Sequence, residues 1–438
     1  MITEPIKEMR KKRSGIKQFL RTLGPGIITG AADDDPSGIA TYSQAGAQFG
    51  FGMLWAALYQ LPLLIAIQEA CARIGAVTGK GLTRVIKENY TKKILFGVVL
   101  LVVVANTINI GADIGAIASA AELVVPIPFA VLAVGFSLLI ILLEVFLSYK
   151  KYSKILKWLA LTLLAYPITA LVVHQPWGEI LRATFLPHIE LSFAFIFIVT
   201  GVFGTTISPY MFFWQASGEV EEEIQSRRLS ESSGVPPRIS KLFMRNIRID
   251  TIVGMIASNL GQWFIIVTTA TVLFAHGITN IGSAADAAKA LEPLVSGFPN
   301  AGQLAKILFA TGAVGLGLLG IPVLAGSAAY AMAEAFGWKE GLYRKFSKAK
   351  GFYGVIIAST TIGLLINFIG INPMKALIFT AVFNGVAAVP LVYLIARING
   401  NKEILGDHTG GLVSRGLVWL TFAVMTLSAL ALLYTILS

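Results

Sequence analysis

The sequence predicts an all-α polytopic membrane protein. It has eleven spans, arranged as two inverted five-helix repeats plus an eleventh helix, with helices 1 and 6 broken mid-membrane. Three observations predict this. Of 438 residues, 55% are hydrophobic and 13% charged, with a mean hydropathy of +0.73, which is a multi-span composition. The basic residues gather in alternate loops. Two spans, five apart, carry helix breakers among polar groups.

Each apolar segment is near the roughly 20 residues a membrane helix needs. The segments lie at 22–49 (broken), 52–75, 94–123, 127–148, 153–174, 192–216, 248–275, 303–335, 351–371, 374–397 and 412–437. The chain thus reads as one transport domain over 1–438, with a basic tail at 1–21. The first repeat covers 22–174, the second 192–397, and the extra helix 412–437. Residues Glu219 to Lys241 are charged, carry Ser-Gly-Val-Pro-Pro, and connect spans 6 and 7. The stretch 276–302 holds Gly277, Gly282 and Pro293 and reads as a longer loop with a short helix around Ala284 to Glu292.

A net charge of +11 would suit a nucleic-acid binder, but its distribution excludes that class. Seven basic residues lie between Lys7 and Arg21, ahead of the first span. Further basic loops hold Arg73/Lys80/Arg84, Lys150/Lys151, Arg227/Arg228/Arg238, Lys339/Arg344/Lys345 and Arg397/Lys402. Counted through eleven spans, all fall on one side, and the opposite loops hold only Arg182, Lys289, Lys306 and Lys375. The positive-inside pattern puts the N-terminus in the cytoplasm and the C-terminus outside the plasma (inner) membrane. No cleavable signal is read, because the basic start leads into a segment with a charged centre. The single cysteine, Cys71, permits no intramolecular disulfide and reads as a packing residue.

Asp33, Asp34 and Asp35 interrupt the first span between Gly24–Ala32 and Ile39–Gly50. One aspartate near a bilayer centre costs about 2.5–3.5 kcal/mol on insertion scales, so three persist only if solvated or paired. Pro36 removes a backbone donor and Gly38 frees the chain, so the helix breaks there. Span 6 contains Gly204, Thr205, Thr206, Ser208 and Pro209. Pro209 alone is either a kink or part of a site. Paired breaks in corresponding spans of inverted halves point to a transport site.

These residues carry a family resemblance. Gly24-Pro-Gly-Ile-Ile, Asp35-Pro-Ser-Gly, Ala40-Thr41, Gln44-Ala-Gly-Ala-Gln-Phe-Gly50, Leu54-Trp55 and Ala72-Arg-Ile-Gly-Ala-Val-Thr-Gly-Lys80 resemble the NRAMP family of divalent metal transporters. The match is continuous through two spans, weaker around Gly204 to Trp214, and consistent in span count and orientation throughout. It implies the LeuT-type fold. The departures are specific. The family's Asp-Pro-Gly-Asn keeps its aspartate as Asp35 but has Gly38 in place of asparagine. Its Met-Pro-His reads Ser208-Pro209-Tyr210, and a second histidine falls on Gln215. Its third-span Asp-Leu-Ala-Glu aligns with Asn109-Ile-Gly-Ala112, with Asp113 one place beyond. These losses resemble the NRAMP-related magnesium branch, which implies neither the soft ligand nor the proton pathway.

The chemistry of the residues agrees. Thioether and thiolate select soft metals, while carboxylate, carbonyl and water suit Mg²⁺, Ca²⁺ and Mn²⁺. His174, His188, His276 and His408 all fall in loops or at span ends. Asp35 is the expected central ligand, direct or through water. The carbonyls of Ala32 and Thr205 and the hydroxyl of Ser208 are expected partners. Gly38 leaves room for a hydrated ion, and Asp34 points into the cavity or lines its approach. Asp33 lines the cavity wall or pairs with a basic residue. Tyr210 packs or touches the ion path. Asn384 is either an interhelical hydrogen bond or site wall, and Asp113 either a structural partner or part of the cation pathway. Glu69 and Glu144 should face the interior, Glu69 toward Arg73 one turn on.

The predicted function is import of a hard divalent cation, Mg²⁺ with Mn²⁺ accepted, as substrate rather than cofactor. Its partners are the ion and the lipid bilayer, with no nucleic acid and no ATPase subunit, since no phosphate-binding glycine loop is present. A proton-coupled Mn²⁺/Fe²⁺ importer of the same family is the alternative. An organic-solute transporter would aim helix N-termini at a carboxylate, which three aspartates repel. An intramembrane hydrolase needs two facing carboxylates, and Asp113 is the only mate for the triplet.

Overall fold

The computed structural model describes residues 24–146, 164–225 and 239–437. The basic tail at 1–21, the first half of 153–174, Lys150/Lys151, Arg227/Arg228/Arg238 and Ser-Gly-Val-Pro-Pro lie outside them. Among the described residues there is no strand.

Span 1 is two helices, α1 (Pro25–Asp33) and α2 (Pro36–Phe49). Each begins on a proline, whose fixed φ and missing N–H suit the first helical turn. Span 2 is α3 (Leu54–Thr78), followed by a short surface helix α4 (Leu82–Asn89) and span 3, α5 (Lys92–Glu122). Span 4 is α6 (Phe129–Phe146). Helices α7 (Ala165–Val172) and α8 (Trp177–Phe185) lead to span 6, again two helices, α9 (Phe193–Thr206) and α10 (Pro209–Gln225). Then come α11 (Lys241–Val272), the loop helix α12 (Ala284–Lys289), α13 (Ala301–Phe336), α14 (Lys350–Ile366) and α15 (Pro373–Asn399). A short α16 (Lys402–Leu405) and α17 (Leu412–Leu437) finish the described chain. The loop helix in 276–302 sits where the sequence places it.

Eight helical segments among the described residues are long and apolar enough to cross a membrane. They account for spans 2, 3, 4, 6, 7, 8, 10 and 11. Span 1 is divided by its break, span 9 is the 17-residue α14, and the first half of span 5 lies outside the described residues.

The two broken spans meet at the centre of the bundle, where Ser37 Oγ lies 3.3 Å from Thr205 Oγ1. Glycines let the surrounding helices close on them. A side chain at Gly30 of α1 would run into the backbone of Gly254 on α11, and one at Gly204 of α9 into Ala381 and Gly385 on α15. The lipid-facing side is apolar instead: Leu138, Leu142, Leu427 and Leu430 are exposed.

The basic loops share one end. Arg73 Nη1 donates to the His408 carbonyl at 3.4 Å, and the Arg84 amide donates to Glu334 Oε2 at 2.9 Å. Glu69 meets Arg73 as the one-turn spacing predicts, and it also accepts from Arg248 of α11 at 3.2 Å and from Ser414 of α17 at 3.3 Å. Cys71 is free and buried.

Candidate functional site

The start of α1 is anchored by a residue on another helix. Asp250 of α11 accepts from the amides of Gly24 (2.8 Å) and Gly26 (2.7 Å), supplying the acceptor that the first helical turn lacks. Thr29 Oγ1 then donates to Gln215 Oε1 of α10 at 2.6 Å. The helix therefore reaches the aspartates with its orientation fixed at two points.

At the break the backbone changes direction. Asp34 has φ −90° and ψ 42°, while Asp35 is extended with ψ 173°. Consecutive side chains thus point to different neighbours. Asp35 caps α2, accepting from the Gly38 amide at 2.8 Å and from Ser37 Oγ at 2.7 Å, both through Oδ1. Its Oδ2 faces Asn109 Nδ2 of α5 at 3.3 Å and the Tyr210 hydroxyl of α10 at 3.4 Å. Gly320 of α13 forms the floor, since a Cβ there would lie 2.8 Å from the Asp35 Cβ. The same imagined Cβ lies 3.9 Å from Asp113 Oδ2, so Asp113 adjoins Asp35 across that glycine. Asp113 is fully buried and neither oxygen has a protein hydrogen-bond partner.

Asp33 and Asp34 turn the other way, onto α11. Asp33 Oδ2 accepts from Ser258 Oγ, and no basic residue pairs with it among the described residues. Asp34 lies over Gly261, where a Cβ would be 3.1 Å from its Oδ2.

The second break closes on itself and on the first. Ser208 Oγ is 2.6 Å from the Gly204 carbonyl and 2.9 Å from that of Thr205, so its hydroxyl turns back on α9. Tyr210 donates to the Ala32 carbonyl at 2.8 Å. The backbone oxygens of Ala32 and Thr205 thus face the break with protein hydroxyls upon them. Gly38 has no room to spare: a Cβ would sit 3.0 Å from the Asp33 carbonyl and 3.3 Å from the Tyr42 ring. Asn384 of α15 is buried with its amide nitrogen unpartnered, one residue from the Gly385 that packs on Gly204.

The Asp35 centre therefore offers one carboxylate, a second beside it, hydroxyls, an amide and backbone carbonyls. No group of three or more His, Cys, Asp or Glu converges on a common point among the described residues. All four histidines lie away from it, His174, His188 and His276 on the surface. Such a set suits a hard cation that keeps part of its water. A small apolar pocket of about 20 Å³, lined by Pro36, Ala40, Ala116, Ala284, Phe309 and Met374 among others, lies beside the start of α2.

The family model for Nramp, described as natural resistance-associated macrophage protein-like, matches residues 26–435. The chain belongs to the Nramp family. Its relatives include a divalent metal cation transporter MntH of Ralstonia nicotianae, 23% identical over 435 residues, or 96% of this chain and 92% of that protein. The MntH of Caldanaerobacter subterraneus subsp. tengcongensis is 24% identical, covering 100% and 99%. Among solved structures, a manganese transporter of Eremococcus coleocola bound to an aromatic bis-isothiourea compound superposes with TM-score 0.71 at 16% identity, over 95% of this chain and 87% of that one. MhsT in complex with L-phenylalanine gives 0.59 at 14% identity, over 94% and 97%. The fold is the LeuT type, two inverted five-helix repeats plus an eleventh helix.

Within this Nramp fold the structure brings together Asp35, Asp113, Tyr210, Ala32 and Gly38, with Thr205 of α9 reaching Ser37 and Ser208, just after α9, bonded back to that helix. It separates Asp33 and Asp34 from them. Two residues escaped the sequence reading as site members. Asn109 registered there only as a missing acid, yet it sits one helical turn from Asp113 and faces Asp35. Ser258 gave no signal beyond being polar in an apolar span. The spacing of Asn109 and Asp113, i and i+4 on a long apolar helix, is a signal that marks a buried polar face.

Proposed function

We propose that this protein is a divalent metal transporter that imports a hard, hydrated cation, Mg²⁺ with Mn²⁺ accepted, without obligatory proton coupling. One observation carries the reading. The carboxylate of Asp35 is approached by oxygen and amide groups alone, Ser208 standing where a thioether would bind a soft metal. Mg²⁺ gives up water reluctantly and binds through one or two carboxylates, and Asp35 with Asp113 supplies that number. The Ser208 hydroxyl and the carbonyls of Thr205 and Ala32 exchange their present partners for the water shell when the ion binds, while the Gly38 amide keeps holding Asp35.

The whole chain acts as one transport unit, with repeats at 22–174 and 192–397 and 412–437 as the extra helix, and one helix bundle rocks against the other to open the site alternately to each side. The N-terminus is cytoplasmic and the C-terminus external, in the plasma membrane. An inside-negative potential suffices as driving force, since two charges crossing 100 mV release about 4.6 kcal/mol.

A proton-coupled manganese importer is the second reading, favoured by the buried, unpartnered carboxyl of Asp113 beside Asp35. Uptake into proteoliposomes carrying Mg²⁺- and pH-sensitive dyes separates the two. Mg²⁺ influx without accompanying acidification supports the first. Mn²⁺ influx in step with protons, with no Mg²⁺ transport, removes it.

A further inference from the structure

The Asp35 centre leaves two of the three aspartates unused. Asp33 and Asp34 are each 0% exposed and face α11 rather than α5, α10 and α13. Three of their four carboxylate oxygens have no hydrogen-bond partner from the protein. No Lys or Arg pairs with either among the described residues, where the ion pairs run elsewhere.

The two buried carboxyl groups share a single neighbouring hydroxyl, that of Ser258. An ionised carboxylate buried without a donor or counter-charge is among the costliest groups a fold can carry. A protonated one needs an acceptor for its hydrogen, and the side chain that approaches Asp34 is the Ser258 hydroxyl, whose own hydrogen already goes to Asp33. What fits is a bound species with positive charge and its own hydrogen-bond donors.

Other helices contribute to the same region. Tyr42 of α2 meets the Thr206 hydroxyl of α9 at 2.8 Å. Gln60 of α3 donates to Gln262 of α11, the residue after Gly261, and to Thr206 at 3.2 Å. Both glutamines are 0% exposed, and each keeps one unpartnered amide atom, Oε1 of Gln60 and Nε2 of Gln262. Gly261 lets α11 approach Asp34 closely, with a Cβ there only 3.1 Å from the carboxylate.

We propose that Asp33 and Asp34, with Ser258 and the Gln60–Gln262 pair, form a second hydrated divalent-cation station, on the face of the span-1 break opposite Asp35. It rests on the divalent-cation reading above and extends it from one ion position to two. Asp33 and Asp34 supply the charge, and the hydroxyl and amide groups bond to the retained water.

The test is Mn²⁺ bound per chain at saturation, measured by equilibrium dialysis on the full-length protein in nanodiscs. The wild type should bind two ions. Asp33→Asn/Asp34→Asn should retain one, and Asp35→Asn should retain one. Ser258→Ala, a milder change, should weaken one of the two sites several-fold and leave the other unchanged, with thermal denaturation confirming the fold of each variant. A wild-type ratio of one, or loss of both ions on neutralising Asp33 and Asp34, overturns the second station while the transport reading stands. No Mn²⁺ bound by folded wild type overturns both.

Discussion

The hydroxyl of Tyr210 donates to the carbonyl of Ala32 at 2.8 Å, joining the second helix break to the first. The same hydroxyl lies 3.4 Å from Asp35 Oδ2. A phenol has a single hydrogen, so it serves one acceptor at a time. Tyr210 therefore competes with an incoming ion for the oxygens that would hold it. Tyr210→Phe should free Ala32 and tighten Mn²⁺ binding about fivefold, the equivalent of one hydrogen bond of about 1 kcal/mol. Titration calorimetry reads this, and an unchanged or weaker affinity would show that the hydroxyl assists the ion instead.

Ser208, between α9 and α10, donates to the carbonyls at the end of α9. Ser208→Met should leave those carbonyls exposed to the break and add a thioether. Soft ligands favour later metals, so Mn²⁺ and Cd²⁺ uptake should gain about tenfold over Mg²⁺ in competition assays. No change in that ratio would place the ion away from Ser208.

Gly204 is where α9 touches α15, and a side chain there runs into Ala381 and Gly385. Gly204→Ala should cost about 1–3 kcal/mol, as overpacking does, and lower the melting temperature. Gly135 in α6 has no atom within 4 Å of its would-be Cβ. Gly135→Ala should be neutral or stabilising by up to about 1 kcal/mol. Equal effects of the two substitutions would deny that the α9–α15 contact depends on glycine.

Glu340 lies in the loop between α13 and α14, outside the spans. Burial first, and then the neighbouring Glu334 and Glu221 carboxylates, push it up from 4.5 to about 9, against the opposing pull of Arg84 and Arg344. The folded protein thus holds a proton there that the unfolded chain has released above pH 4.5. Stability from this group is full below pH 4.5 and is lost as pH rises through 9. Thermal denaturation should show a decline between pH 5 and 9 that is shallower in Glu340→Gln. Parallel curves would contradict the shift.

The broken spans were legible because charge and proline in an apolar stretch have few solutions in a membrane. The positions of Ala284 to Glu292 and of the Glu69–Arg73 pair were legible from local spacing. The direction of each aspartate was not. A break resets the helical phase between Asp33 and Pro36, so periodicity no longer says which helix each side chain meets. Asp33 and Asp34 went to α11 and Asp35 to α5, α10 and α13. The partnership of Asn109 with Asp35 spans 74 residues and depends on how α5 packs against the break, which no local pattern encodes. Ser208 looked available because its hydroxyl is polar; its turn back onto α9 depends on carbonyls set free at the break.

The central claim is that Asp35 anchors a divalent ion that keeps its water. Anomalous scattering from crystals soaked in Mn²⁺ tests it most directly. The account predicts a peak about 4 Å from an Asp35 carboxylate oxygen, two bond lengths with a water between them, and its loss in Asp35→Asn, which preserves the helix cap. A Mn²⁺ peak that persists unchanged in Asp35→Asn, or lies beyond the reach of Asp35 even through one water, would contradict it.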